Sequence, residues 1–346
     1  MRHEGRVRAD RLRATARLLL PYAVFLAILL LVPAVFTRVP LYTMGNGVYM
    51  AILAIAALGL VPLTGFAGQI SLGQAAFFGT GAYFSAILTV KSGLPATPAA
   101  ILGMATAGAA AYLFGRYLFR VSGHYLALAT LGLGLVLTIV ASQLEITGGT
   151  AGVVGVPSLA PFGVELFDDV SYYYLVAAVL LVAVVVVDGL VRSWLGRSLT
   201  AVGDAPHAAA SSGIDIAARK RLAFVVAAVL AAAAGSLYAH WAAYVDHHTM
   251  DLLLSLQLLI IATVGGIRTV WGPVVGAFVV VTLLQVSQEL FPELSERVGG
   301  QAEIVLYGLA LILVLLFLPK GLAGWASDVI QRLTRARAGA DEGGAR

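Results

Sequence analysis

The feature that most constrains this chain is a series of ten apolar runs, at residues 18–36, 43–63, 70–90, 97–115, 124–143, 172–190, 221–241, 252–266, 272–290 and 303–319. Most approach the roughly 20 residues that an α-helix needs to cross a hydrocarbon core about 30 Å thick. No water reaches the backbone inside such a core, so each run must satisfy its own amides and carbonyls as a helix. The whole chain is 60% hydrophobic and 12% charged, where soluble domains carry roughly 25% charged residues. The fold class expected is all-α: a polytopic integral membrane protein of about ten transmembrane helices.

Charge supplies the orientation. With the N-terminus in the cytoplasm, nineteen Lys and Arg residues fall on the cytoplasmic side, and only Arg38, Lys91 and Arg297 fall outside. That asymmetry is the positive-inside pattern, and it puts both termini in the cytoplasm. Net charge of +4 therefore reflects topology, with no implied affinity for nucleic acid. The arginine-rich start precedes an apolar run longer than a signal peptide's, and "VPAVFTRVP" has no small-residue cleavage pattern, so the first run is expected to stay as a helix. The absence of cysteine excludes disulfides, Fe–S clusters and Cys-ligated zinc. The organisation expected is a cytoplasmic tail (1–17), one transmembrane domain (18–324) and a polar cytoplasmic tail (325–346). Two connections are long: an external loop at 144–171 and an internal loop at 191–220.

One stretch sits badly in a membrane. "GFAGQISLGQAAFFGTGAYFSA", residues 65–86, carries five glycines and the amides Gln69 and Gln74. Each interior glycine weakens a helix by roughly 1 kcal/mol relative to alanine, and lipid offers an amide no partner. With Pro62 just before it, the stretch predicts a broken or re-entrant segment. There Thr64, Gly65, Gly68, Gln69, Ser71, Gly73 and Gln74 would line a water-accessible pathway. Close helix packing through small residues is the other reading, and the two are compatible. By contrast Gly103, Ala107, Ala111 and Gly115 form one smooth ridge with no polar group, which reads as packing alone. A second glycine-rich junction, "VGGIRTVWGPVVGAF" (264–278), reaches the same side as the first, with Arg268 and Trp271 read as interface anchors.

The internal loop predicts a short helix over about 205–212. Asp204 and Pro206 mark its start and Gly213 its stop. It has no apolar stripe wide enough to lie in the membrane, so it would project into the cytoplasm as a docking piece or as a solvated connector.

Catalytic patterns are meagre. "DHHTMD" (246–251) lacks a metal-ligand spacing, and nothing obliges Ser71 and His240 to meet as nucleophile and base. No "GxxxxGK[ST]" phosphate loop occurs, so the chain itself is not expected to hydrolyse ATP. Ionisable residues are nearly absent from the interiors of the runs, which argues against a proton relay and for energy supplied from outside. A sodium-coupled carrier or channel, and a non-transporting scaffold, stay open on these grounds.

Several motifs together carry a family resemblance. "LTGFAGQISLGQAAFFGTGAY" (63–83), "GHYLALATLGLG" (123–134), "ITGGTAGVVGVPSL" (146–159), "GRSLTAVGDAPHAAASSGID" (196–215), "GGIRTVWGPVVGA" (265–277) and "FLPKGLAG" (317–324) resemble, in this order, the permeases of bacterial branched-chain amino acid ABC importers. The external motif is similar to that of the LivM-type subunit. The resemblance implies alternating access in the bacterial inner membrane, with no cofactor. Its partners would be a LivH-like second permease, two cytoplasmic ATPases, a periplasmic or lipid-anchored substrate-binding protein and membrane lipid. It implies that Asp204, Ala208, Ala209 and Gly213 belong to the ATPase-coupling segment. Gly203 departs from the pattern, standing where a basic residue is common, and Ala151 stands where a polar one is frequent. Urea, short amides and aromatic acids are further cargoes of such permeases.

Overall fold

The computed structural model describes residues 20–36, 38, 42–119, 124–160, 166, 168–290, 308 and 321–322. Nine of the ten expected spans coincide with helices. These are α1 (Leu20–Phe36), α2 (Met44–Leu58), α3 (Gln74–Ser92), α4 (Ala96–Leu118), α5 (His124–Gln143), α6 (Asp169–Arg192), α9 (Ile216–Ala242), α10 (Leu252–Gly265) and α11 (Gly272–Leu290). The span expected at 303–319 lies, apart from Gly308, outside the described residues, as do both tails. Two short helices, α7 (Trp194–Asp204) and α8 (Pro206–Ser211), occupy the internal loop.

The connections sort to two ends, as the alternation of spans requires. At one end, strands β1 (Val153–Val154) and β2 (Tyr244–Val245) pair antiparallel. There Lys91 Nζ donates to the Ile146 carbonyl at 2.9 Å and Trp241 Nε1 to Asp169 at 3.1 Å. The loops after α2, α6 and α10 meet at the other end, where Arg268 pairs with Asp204. Arg192, Arg197, Arg219, Lys220, Arg221 and Arg268 all belong to that second end, which is the end the charge bias assigns to the cytoplasm.

At the centre stands α9, 27 residues long, packed chiefly against α3 and α4. Its buried face is built from Ala227, Ala228, Ala231, Ala232, Ala234 and Gly235. Helices associate in lipid largely through close backbone approach, because lipid tails are as apolar as leucine and give no hydrophobic drive. The approach here leaves no slack: a Cβ on Gly235 would overlap the Phe78 carbonyl, and one on Gly81 the Ala232 backbone. The ridge of α4 is buried as expected, with Gly103 against Gly81 and Gly115 against Arg221 and Phe224. Outward faces such as Leu30, Leu31 and Val35 of α1 or Val182 and Val186 of α6 are exposed and apolar, as lipid contact requires.

Among the described residues, one acid is buried between spans. Asp188 of α6 accepts from the Tyr22 hydroxyl of α1 and pairs with Arg192 Nε at 2.7 Å. A carboxylate at this depth needs such partners.

Candidate functional site

The expected break lies in the chain between α2 and α3. After Leu58 the helix widens into a π-helical turn at Val61–Phe66, capped by Ala67, and leaves helical geometry at Gly68. Pro62, at the start of that turn, has no amide to give to a regular ladder. Gly68 takes a φ of +65°, which a side chain would disfavour, and residues 69–73 run without helix until α3 begins at Gln74.

The polar side chains of residues 64–74 each make a hydrogen bond within the chain. Thr64 Oγ1 donates to the Gln69 carbonyl at 2.9 Å, and Gln69 Nε2 donates to the Ala67 carbonyl at 2.9 Å, so both fold back on the loop. The first amides of α3 have no intrahelical acceptor. Other helices supply acceptors here: Ser255 Oγ of α10 accepts from Ala75 N in the first turn at 2.9 Å, and Thr130 Oγ1 of α5 accepts from Leu72 N, two residues before the helix, at 3.0 Å. Ser71 is buried and its hydroxyl oxygen faces Gly73 N at 3.4 Å. Gln74, only 1% exposed, donates through Nε2 to the carbonyls of Ala56 in α2 and Ala227 in α9, at 3.0 and 3.1 Å. Gln74, Ser71 and Gly73 are thus enclosed within this chain, Thr64, Gly65 and Gln69 are half-buried, and Gly68 is exposed.

The second candidate region lies directly against the first. Gly203, near the end of α7, packs so closely on the π turn that a Cβ there would overlap the Phe66 carbonyl oxygen. On the other flank a Cβ on Gly65 would overlap the Ile267 carbonyl, in the second glycine-rich junction. Asp204 and Arg268 join these flanks at 3.3 Å, a solvent-exposed pair whose contribution to stability is small. Arg268, read from sequence as an interface anchor, thereby connects two cytoplasmic loops. The bare backbone at Gly203 also explains the missing basic residue: a side chain would push α7 off the break.

The segment expected at 204–213 differs in detail from expectation. The helix expected at about 205–212 is α8, but Asp204 does not start it. Asp204 ends α7, and Ala205 precedes Pro206 at the first helical position. Gly213, at φ +80°, closes α8 with Ile214 N donating to the Ala209 carbonyl at 3.1 Å. Ala209 faces inward at 4% exposure, whereas Ala208 and Ala210 are exposed. Sequence reasoning missed α7, although Ser193 caps it by accepting from Leu195 N at 3.1 Å, and the buried Leu199 and Val202 give it an inward stripe.

Ser71 and His240 do not meet. His240 lies at the external end, where its Nδ1 faces the Pro157 carbonyl and its Nε2 the Ser85 hydroxyl, each at 2.6 Å. A carbonyl only accepts, so Nδ1 carries the proton and Nε2 accepts from Ser85. The arrangement ties the external loop to α3 and α9.

An external cavity of about 330 Å³ went unread in the sequence, because its walls come from four separate segments. Tyr49, Phe78 and Tyr238 give it aromatic sides, and Asp246, His248 and Gln257 give it polar ones. His248 Nδ1 pairs with Asp251 at 2.8 Å, a hydrogen bond that raises the His248 pKa above its ordinary value.

Comparison with known proteins decides the class of this architecture. Residues 44–318 match the family model described as branched-chain amino acid transport system, permease component. The chain belongs to this permease family. The high-affinity branched-chain amino acid transport system permease proteins LivM of Salmonella typhimurium and of Escherichia coli are each 29% identical over 295 residues, covering 78% of this chain and 67% of the relative. No solved structure matches the chain. The permease is a multi-pass membrane protein and a transport component rather than an enzyme.

Proposed function

We propose that this permease is one transmembrane half of an ABC importer for branched-chain or related amino acids in the bacterial inner membrane. A LivH-like permease completes the pathway, two cytoplasmic ATPases drive it, and a periplasmic or lipid-anchored binding protein delivers cargo. The single observation that carries the coupling mechanism is the backbone contact between Gly203 and Phe66, supported on the other flank by Gly65 and Ile267.

The physical argument concerns slack. A surface helix of six residues passes on only the displacement that its contacts resist, and long side chains would absorb much of it by changing rotamer. Backbone against backbone has no rotamers to change. An ATPase gripping the exposed face of α8, with Ala208 and Ala210, moves α7 through the link at Ala205. Asp204 holds α7 to the α10–α11 turn and Gly213 fixes the exit of α8. The break at residues 64–74 then moves as the inner gate of the pathway. Thr64, Gly65, Gly68 and Gln69 form its accessible edge, while Gly73 against Thr130 of α5, Gln74 on α2 and α9 and Ala75 on Ser255 of α10 hold the gate, and Ser71 is enclosed behind it. No net charge is buried along this segment, in keeping with a zwitterionic or neutral cargo and an external source of energy.

Reconstitution tests the proposal. Proteoliposomes with this chain alone should import no leucine, and adding the second permease, the ATPases and ATP should start import. Sodium-driven import by the chain alone would replace the proposal with a stand-alone carrier. Import of urea or short amides in place of leucine by the complete assembly would keep the mechanism and change the cargo.

A further inference from the structure

A second cavity, of about 410 Å³, opens at the cytoplasmic end between the start of α7, the turn after α8 and the first turn of α9. Its walls are Trp194, Arg197, Ser198, Gly213, Ile214 and Arg219. Two guanidinium groups face it, and among the described residues no carboxylate lines it. The nearby acids are engaged elsewhere: Asp188 with Tyr22 and Arg192, Asp204 with Arg268, and Asp215 as the cap of α9, accepting from Ala218 N at 3.0 Å.

Arg219 is held in an unusual position. Its guanidinium carbon lies 4.2 Å from the centre of the Trp194 ring, and its Nε is buried with no hydrogen-bond partner. Stacking fixes the plane of the group. It does not satisfy the N–H, and a buried donor without an acceptor is disfavoured. Arg197 spends one N–H on the Arg192 carbonyl at 3.3 Å and keeps the others. The positive end of the α9 dipole adds to the same field. The buried Nε is itself closed off, but the outer N–H groups of Arg219 and Arg197 make the wall a donor surface, and an anion with several acceptor oxygens fits it, since phosphate suits the fork of an arginine.

We propose that this cavity binds the phosphate of an anionic phospholipid from the cytoplasmic leaflet. Soluble phosphate shares the chemistry, but position favours lipid. Trp194, 53% exposed, follows the last turn of α6 by two residues, at the level where amphipathic rings lie in the membrane interface. No residue of α8 contributes to the walls, so the occupant arrives from the membrane surface and not with the ATPase that grips α8. Inner-leaflet anionic lipid is attracted to clustered arginines at this depth. The lipid would bridge α7 to α9 and hold the coupling segment against the membrane, whichever cargo the permease moves.

The test uses the full chain in phosphatidylcholine vesicles containing brominated phosphatidylglycerol or, as control, brominated phosphatidylcholine. The Trp194 signal is the fluorescence difference between the native chain and Trp194→Phe, and the brominated lipid is its quencher. Stronger quenching by the brominated phosphatidylglycerol, lost in Arg197→Gln/Arg219→Gln and retained in Arg219→Lys, is the expected result. Equal quenching by the two lipids, or a preference that survives the double substitution, overturns the proposal. Reversal of the preference by inorganic phosphate reassigns the site to a soluble anion. A double variant that keeps its lipid preference but no longer binds the ATPases reassigns the arginines to a protein contact. Because the readout is binding, it stands apart from any result on transport.

Discussion

Gly203 and Phe66 touch through bare backbone: any Cβ at position 203 would overlap the Phe66 carbonyl oxygen. In an ordinary helix a glycine-to-alanine change stabilises by roughly 1 kcal/mol. Here the sign should reverse. Gly203→Ala is expected to destabilise by about 1–3 kcal/mol, the usual cost of overpacking, and a lower melting temperature of the purified chain checks it.

Gln74 answers a backbone demand from inside the chain, and Gln69 lies half-buried at its edge. In this cysteine-free protein, Gln69→Cys should react with a membrane-impermeant thiol reagent in inside-out vesicles, while Gln74→Cys stays protected. Gln74→Leu should lower stability by about 1–3 kcal/mol, because the hydrogen bonds that tie the break to α2 and α9 are lost. Thermal unfolding in detergent measures that loss, and an unchanged melting temperature would deny Gln74 its bridging role.

Ala208 and Ala209 are neighbours with different fates. Ala208→Glu changes an exposed face and should abolish uptake and ATPase binding without altering thermal stability. Ala209→Glu places a charge on the inward face, 4% exposed, and should unfold the coupling segment itself. Pull-down of the ATPases alongside melting curves separates the two; equal loss of stability in both would remove the distinction.

His248 should titrate above an ordinary histidine because Asp251 hydrogen-bonds its protonated form. The pair therefore stabilises the external loop when His248 is protonated, at low pH, and that small contribution is lost as pH rises through the raised midpoint. A titration of the His248 ring resonance by NMR should give a midpoint that falls in Asp251→Asn. A midpoint that does not move would show that the carboxylate has no influence.

The spans were legible because lipid permits few solutions: long apolar runs must be helices, and charge sorts their ends. The break was legible too, since Pro62, glycines and amides have few other uses in a membrane. What Gln69 and Gln74 do there was not, because two amides five residues apart look alike until the fold puts one between α2 and α9 and the other on a loop. Helix α7 escaped notice because Gly196 and Gly203 lower its helix propensity, while its stability comes from packing Leu199 and Val202. The contact of Gly203 with Phe66 joins residues far apart in sequence, and a glycine leaves no chemical trace of its partner. The external cavity was hidden for the same reason, its walls being gathered from distant segments.

The coupling account is tested most directly by the ratio of leucine imported to ATP hydrolysed, in proteoliposomes of the complete assembly, with and without Gly203→Ala. The account predicts that hydrolysis continues while import per ATP falls sharply, because α7 is pushed away from the break it should move. An unchanged ratio, in a variant that assembles fully, would contradict it.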